Sequence, residues 1–552
     1  MGFKVLEFVL WVLIISSTFT NNLVMSSNQV GIQEIITKGN ILVDGNKVIG
    51  KTDTNFVCAT LDWWPHDKCD YGSCSWNQSS LLNLDLNNKI LMNAVKAFSP
   101  LKLRLGGTLQ DRIIYETEDS ASQPPPCIPF SKNSSSLFGF NKGCLPLRRW
   151  DQLNTFFNKS GAMVVFGLNV LNGRSIKNGS VVGSWDPTNA KSLIEYSLRK
   201  GYNILGWELG NELTGTGSAI RIEPDQYASD IISFNNVIWE AYKNEKVKPL
   251  ILAPGGFFNP VWFKEFLHKT TSTHLDVVTH HIYNLGPGSD KNLVDKILNP
   301  SVFEHGVVDT FKGLRKVINN SDHHNSVQAW VGEAGGVYNS GRNQVTNTFL
   351  DSFWYLDQLG LASTYDTKTY CRQSLVGGNY GMLNTTTFKP NPDYYSALLW
   401  HRLMGKKVLW TNFSGSKKIR AYAHCSKQSR GITLLLINLD KRSKVEAKLK
   451  AVVNGTSSCR RKHRSGGHHH HHHGDHIHRK RIRVREEYGL TGKDGNLQNQ
   501  SVLLNGKELN VDDEDNIPPM EPVIVNAKEP ITIAPLSILF VHIPYLCLPA
   551  CS

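Results

Sequence analysis

Two glutamates sit at the ends of apolar runs that read as β-strands. Glu212 closes Ile204-Leu205-Gly206-Trp207-Glu208-Leu209-Gly210-Asn211-Glu212, and Glu333 lies in Ala329-Trp330-Val331-Gly332-Glu333-Ala334-Gly335-Gly336. If both runs are strands of one parallel barrel, their C-terminal ends place both carboxyls over the same mouth, where such barrels carry their chemistry. Two carboxyls flanking one bond are what glycoside hydrolysis needs: one protonated to assist the leaving oxygen, one ionised to attack or to activate water. Either glutamate alone reads as a surface or cap carboxylate; the pair in these contexts carries the argument. Asn211 can hydrogen-bond a sugar hydroxyl beside the scissile bond, and in barrels of this type the glutamate after the strand-four Asn is the acid/base, which would make Glu212 the acid/base and Glu333 the nucleophile. A separation of about 5 Å would mean retention through a covalent intermediate, and about 9 Å inversion.

The elements that must position these residues alternate along residues 50–405. Short β-branched or apolar runs at Phe56–Leu61, Leu101–Leu105, Met163–Leu168, Ile204–Glu208, Leu250–Ala253, Val277–His281, Gln328–Glu333 and Leu361–Tyr365 are separated by helix-length segments. Eight such runs predict an α/β fold of the (β/α)8 TIM barrel type. A doubly wound open sheet alternates in the same way, but no G-x-G-x-x-G follows the first strand and polar residues gather at strand C-termini. After Lys406 the texture changes to short alternating strands, Ile419–His424, Ile432–Asn438, Val445–Val452, Val502–Leu504, Val523–Asn526 and Ser537–His542, with turns such as Asn505-Gly506. That predicts a C-terminal β-sandwich. The expected organisation is a signal peptide at 1–25, a catalytic barrel at 26–405 and the sandwich at 406–552, interrupted by a basic, His-rich insert at 459–483.

The 552 residues carry 60 Lys+Arg against 47 Asp+Glu, a formal charge of +13, with 40% hydrophobic residues. This composition excludes a mostly disordered or collagen-like chain. Between Arg460 and Arg485 nine Lys/Arg stand against Asp475 alone, so +8 of the +13 belongs to that one stretch. The basicity is an insert, with His468–His473 in it, and does not argue for a nucleic-acid partner. The ten cysteines include no C-x-x-C pair, so a zinc ribbon or a thioredoxin-type redox site has no support, and two-carboxyl hydrolysis requires no metal or cofactor.

The N-terminus has Lys4, an apolar run over Phe8–Ile15 and small polar residues after it, the order of a secretory signal. Nine N-x-S/T sequons, at Asn77, Asn133, Asn158, Asn178, Asn319, Asn384, Asn412, Asn454 and Asn499, agree with export. Cys127 and Cys144 bracket a Pro- and Ser-rich loop suited to a disulfide staple. The expected location is extracellular, at the cell wall, or a lysosome or vacuole with peripheral membrane association.

Taken together, Trp207-Glu208-Leu209-Gly210-Asn211-Glu212, Leu103-Arg104-Leu105-Gly106-Gly107-Thr108, His280-His281-Ile282-Tyr283, Gly332-Glu333 and Gly378-Asn379-Tyr380 resemble glycoside hydrolase family 79, the heparanase family, and in particular its plant β-glucuronidase branch. The resemblance runs from about residue 30 to Pro544 and includes Ser501–Gly506 and Phe540–Pro544. It implies a (β/α)8 barrel with a β-sandwich that the N-terminal strand also joins. It further implies retaining hydrolysis of β-linked glucuronic acid, with Glu212 as acid/base and Glu333 as nucleophile. Asp62, Thr108, Asn211, His281, Tyr283, Gln373 and Tyr380 fall where the family lines its −1 sugar site. Of these, Tyr283 and His281 are suited to orienting the nucleophile. Two departures stand out: Tyr338-Asn339-Ser340-Gly341 replaces a Gly-rich run of the mammalian members, and the shorter 112–147 loop replaces their excised linker. The implied partner is a glucuronic-acid-containing glycan or a glucuronide. Alternatives are a catalytically silent polyanion-binding protein and a barrel hydrolase for neutral sugars.

Overall fold

The computed structural model describes residues 35–117, 126–217, 220–304, 306–324, 326–454 and 483–552. The expected signal segment and the 459–483 insert, save its last residue, lie outside these.

Eight parallel strands close into a barrel in chain order: Val57–Asp62, Lys102–Gly106, Met163–Leu168, Ile204–Leu209, Leu250–Phe257, Val277–Ile282, Gln328–Ala334 and Thr369–Arg372. The first and last strands pair with each other, Cys58 opposite Cys371, and a disulfide joins the same two residues. That closure excludes the open doubly wound sheet. Their residues are almost all buried, as expected where helices cover the outside and side chains fill the inside.

Seven strands lie where the sequence pattern puts them; the eighth does not. Leu361–Tyr365, read as that strand, falls at the end of the helix Phe349–Thr364. Fifteen of this helix's sixteen residues are buried. A helix covered on every side shows no 3.6-residue polar period, and its apolar end is indistinguishable from a buried strand. The true strand, Thr369–Arg372, is four residues long and carries a charge: Arg372 is buried against Asp351 and Asp393, at 2.7 and 2.9 Å.

The C-terminal region is one eleven-stranded sheet in which Ile35–Lys51 lies between Met404–Ser414 and Ser443–Val452. Residues of opposite parity point to opposite cores. Leu434, Leu436, Leu539 and Val541 join Ile41, Val43, Val445, Ile531 and Ile533 in a core enclosed by the curled sheet. Leu435, Ile437, Ile538 and Phe540 face the barrel helices and belong to the barrel's own core. The period-two alternation of a strand thus serves two apolar compartments, which makes Ile432–Asn438 and Ser537–Ile543 apolar on both faces. Three further disulfides, Cys69–Cys74, Cys127–Cys144 and Cys425–Cys551, are present among the described residues.

Candidate active site

The strand Ile204–Leu209 ends in Gly210-Asn211-Glu212, where the chain turns sharply. Gly210 has φ +75° and Glu212 φ +57°, so the glutamate occupies the left-handed region that L-residues avoid at a cost of roughly 1–2 kcal/mol. A hydrogen bond from Glu212 N to Gly255 O at 2.7 Å fixes the turn. Asp111 holds it from below, accepting from Asn211 N at 2.8 Å and from Val170 N at 2.9 Å. The Glu212 side chain stands over the barrel with its Oε1 3.0 Å from His281 Nδ1. Burial pushes its carboxyl up to about 7, against an opposing pull from Arg104. Burial also pushes the His281 ring down to about 4, so it is neutral in mildly acid solution and pairs with Glu212 without adding charge.

Glu333 lies within the strand Gln328–Ala334 and faces the same opening. Tyr283, one residue past the strand Val277–Ile282, donates to Glu333 Oε1 at 2.7 Å. Arg104 donates to Glu333 Oε2 at 2.9 Å, to Glu208 Oε2 at 2.6 Å and to Asn211 Oδ1 at 2.9 Å. Burial alone would lower the Arg104 pKa, but the Glu208 and Glu333 carboxylates outweigh it and hold the guanidinium charged. Both oxygens of Glu333 therefore receive a hydrogen bond from a fixed donor, one of them cationic. Glu212, His281 and Glu333 each present one atom such that all three lie within 4.8 Å of one another. This is the one grouping among the described residues able to offer three ligand atoms to a metal ion. Its donors are engaged with one another, Tyr283 and Arg104.

The wall across from Glu212 is built from the ends of the first and eighth strands. Gln373 donates to Asp62 Oδ2 at 2.8 Å and to the Tyr380 hydroxyl at 3.4 Å, and Thr60 Oγ1 donates to Gln373 Oε1. Burial and the nearby charge of Glu333 push the Asp62 carboxyl well above its ordinary range. A protonated Asp62 presents an O–H to a ligand hydroxyl, and its Oδ1 is buried with no protein partner.

These side chains surround a cleft of about 500 Å³ lined by Asp62, Thr108, Glu212, Tyr283, Glu333, Gln373 and Tyr380, with Trp64, Phe257 and Tyr338 as aromatic walls. Of the nine residues expected at a sugar site, seven line the cleft. Asn211 and His281 lie buried behind it, supporting Arg104 and Glu212. His281 was expected to orient Glu333; the structure pairs its ring with Glu212, and Tyr283 alone of the two hydrogen-bonds Glu333. Arg104 escaped the residue-by-residue reading, although a charged residue at an inward position of Leu103-Arg104-Leu105 is itself a signal, because such a residue is buried only when paired. Lys68, Trp64 and Phe257 lie in loops or at strand ends with no such pattern.

Residues 38–360 match the model of the glycosyl hydrolase family 79 N-terminal domain. The chain is 55% identical to heparanase-like protein 3 of Arabidopsis thaliana, covering 93% of this chain and 94% of the relative. It is 44% identical to the baicalin-beta-D-glucuronidase of Scutellaria baicalensis, over 99% and 97%. In fold it is similar to a 4-O-alpha-L-rhamnosyl-beta-D-glucuronidase from Fusarium oxysporum 12S (TM-score 0.61, 13% identity, 92% of this chain and 100% of that one). It is also similar in fold to a GH51 arabinofuranosidase from Xanthomonas axonopodis pv. citri (TM-score 0.60, 14% identity, 92% and 99%). With its barrel closed, its two carboxyls over one cleft and its sequence aligned end to end with these relatives, the chain belongs to glycosyl hydrolase family 79 and is a heparanase-like glycoside hydrolase.

Proposed function

We propose that this protein is a secreted, retaining, exo-acting β-glucuronidase that removes terminal β-linked glucuronic acid from small glucuronides or from glycan ends. The observation that carries retention is that Glu212 and Glu333 each present a carboxyl oxygen within 4.8 Å of the other, in keeping with the roughly 5 Å separation of a nucleophile and an acid/base in retaining enzymes. The 44% identity to a baicalin-beta-D-glucuronidase supports the choice of sugar. In the first step Glu333 attacks the anomeric carbon while Glu212 gives its proton to the departing oxygen. A glycosyl ester of Glu333 and the free aglycone result. In the second step Glu212, now ionised, takes a proton from water, which displaces Glu333 and restores both groups. Tyr283 and Arg104 receive the returning charge on Glu333, and the neutral His281 keeps Glu212 in place through both proton transfers.

The test is turnover of 4-nitrophenyl β-D-glucuronide at mildly acid pH, with proton NMR of the first sugar anomer released. The β-anomer from the wild type, and a loss of roughly 10⁴-fold or more in kcat for Glu333→Gln, are expected. Release of the α-anomer would overturn retention, and turnover of the β-glucoside without the glucuronide would overturn the choice of sugar. Appearance of the protein in the medium of plant cells expressing the full chain tests export.

A further inference from the structure

The loop after the first barrel strand brings one lysine into the cleft. Lys68 is the only cation among the described residues lining it, against the carboxyl groups of Asp62, Asp70, Glu212 and Glu333. Its Nζ lies 2.7 Å from Asp70 Oδ1 and 4.7 Å from the centre of the Trp64 ring. The loop that carries it is closed by the Cys69–Cys74 disulfide and by paired backbone hydrogen bonds between Asp70 and Ser73 at 2.9 Å. Asp70 also accepts from Ser340 Oγ, which in turn accepts from Trp76 Nε1 at 2.9 Å. Lys68 is thereby tied to residues 338–340, the segment that follows the Glu333 strand and lines the same cleft.

Charge decides what this lysine is for. The carboxyls of Asp62 and Glu212 are raised by burial, and Arg104 lies against Glu333 from beneath. What remains facing the cleft is the Lys68–Asp70 pair, in which the ammonium has three donors and spends one on Asp70. An anionic ligand entering a site lined by four carboxyl groups is favoured where it meets a cation, and a half-buried, pre-positioned ammonium is worth more than a mobile one on the surface.

We propose that Lys68 is the residue that recognises the carboxylate of the substrate and so selects a uronic acid over the corresponding neutral sugar. This rests on the glucuronidase reading above and adds to it the group that reads the acid. The disulfide-closed loop positions the ammonium, and Asp70 is the resting counter-ion from which the substrate carboxylate takes it over.

The experiment compares wild type, Lys68→Met, Lys68→Arg and Asp70→Asn on 4-nitrophenyl β-D-glucuronide, with inhibition constants for free D-glucuronate and D-glucose. Lys68→Met is expected to raise KM for the glucuronide and the inhibition constant for glucuronate by roughly 10- to 100-fold, as loss of a charged hydrogen bond does, with glucose binding and kcat changed less than about 3-fold. Lys68→Arg should recover part of the loss. Asp70→Asn separates recognition from support of the loop: it breaks the ion pair but keeps the cation, so glucuronate binding should hold or tighten. The inference is overturned if Lys68→Met leaves glucuronate binding within about 3-fold of wild type, if it weakens glucose equally, or if Asp70→Asn reproduces its losses. Wild-type protein that turns over no glucuronide would overturn the underlying reading, and this inference with it.

Discussion

Glu212 and Glu333 have the same functional group and opposite assignments, and their surroundings account for the difference. Glu333 receives hydrogen bonds on both oxygens from Tyr283 and Arg104, whereas Glu212 has a neutral imidazole and a desolvating wall. With the Glu212 carboxyl pushed up to about 7, it holds its proton below that pH and loses it above, so kcat/KM, which reports the free enzyme, should fall as pH rises through about 7. Glu212→Gln should abolish that descending limb in the kcat/KM profile for 4-nitrophenyl β-D-glucuronide, on which residual turnover stays measurable; an unchanged limb would assign it elsewhere. The same shift has a stability consequence. The folded state binds this proton more tightly than the unfolded chain, so stability falls as pH climbs from about 4.5 to about 7. Glu212→Gln should therefore be more stable than wild type at pH 8, by on the order of 3 kcal/mol, and no more stable at pH 4, as read by thermal denaturation at the two values. Arg104 carries the opposite risk. Arg104→Met leaves Glu208 and Glu333 buried without a counter-charge, and a loss of about 3–5 kcal/mol is expected in denaturant unfolding, together with loss of turnover.

At the scale of elements, the site is a property of strand ends. Asp62, Arg104, Glu212, Tyr283, Glu333 and Gln373 come from the first, second, fourth, sixth, seventh and eighth strands or the residues just beyond them. Only barrel closure brings strands one and eight side by side, and with them Asp62 and Gln373. The Cys58–Cys371 disulfide ties that seam across a separation of 313 residues. Replacing both cysteines by alanine should cost about 2–4 kcal/mol, visible as a lower thermal midpoint in non-reducing buffer, and an unchanged midpoint would mean that the strand pairing alone holds the seam. The sequence pattern located seven of these strands because each is an apolar run flanked by turn residues. It failed at the eighth because Thr369–Arg372 is short and charged while the preceding helix is buried all round.

At the scale of the molecule, barrel and sheet share one apolar core. The helix Phe349–Thr364 is packed between them, and Asp357 on it is held from the sheet side by Arg420 at 2.7 Å and the Tyr422 hydroxyl at 2.6 Å. Arg420→Met removes the counter-charge of a buried carboxylate and should lower the calorimetric transition by about 3–5 kcal/mol without splitting it. Two separated transitions would show that barrel and sheet unfold independently. The strand Ile35–Lys51 contributes to the same unity, since the chain begins its described course in the sheet and returns to it only after the whole barrel. The sequence by itself determined the strand types, the two glutamates and their family context, because these depend on local periodicity and on motifs of a few contiguous residues. It also showed that most of the +13 charge sits in one insert. The tertiary structure alone decided which groups meet: Arg104 beneath Glu333, His281 on Glu212 in place of Glu333, and Lys68 inside the cleft through Asp70 and Ser340. Except for Lys68 and Asp70, two positions apart, those pairings join residues tens to hundreds of positions apart, and no local pattern encodes a contact whose partners are set by closure of the barrel and the path of its loops.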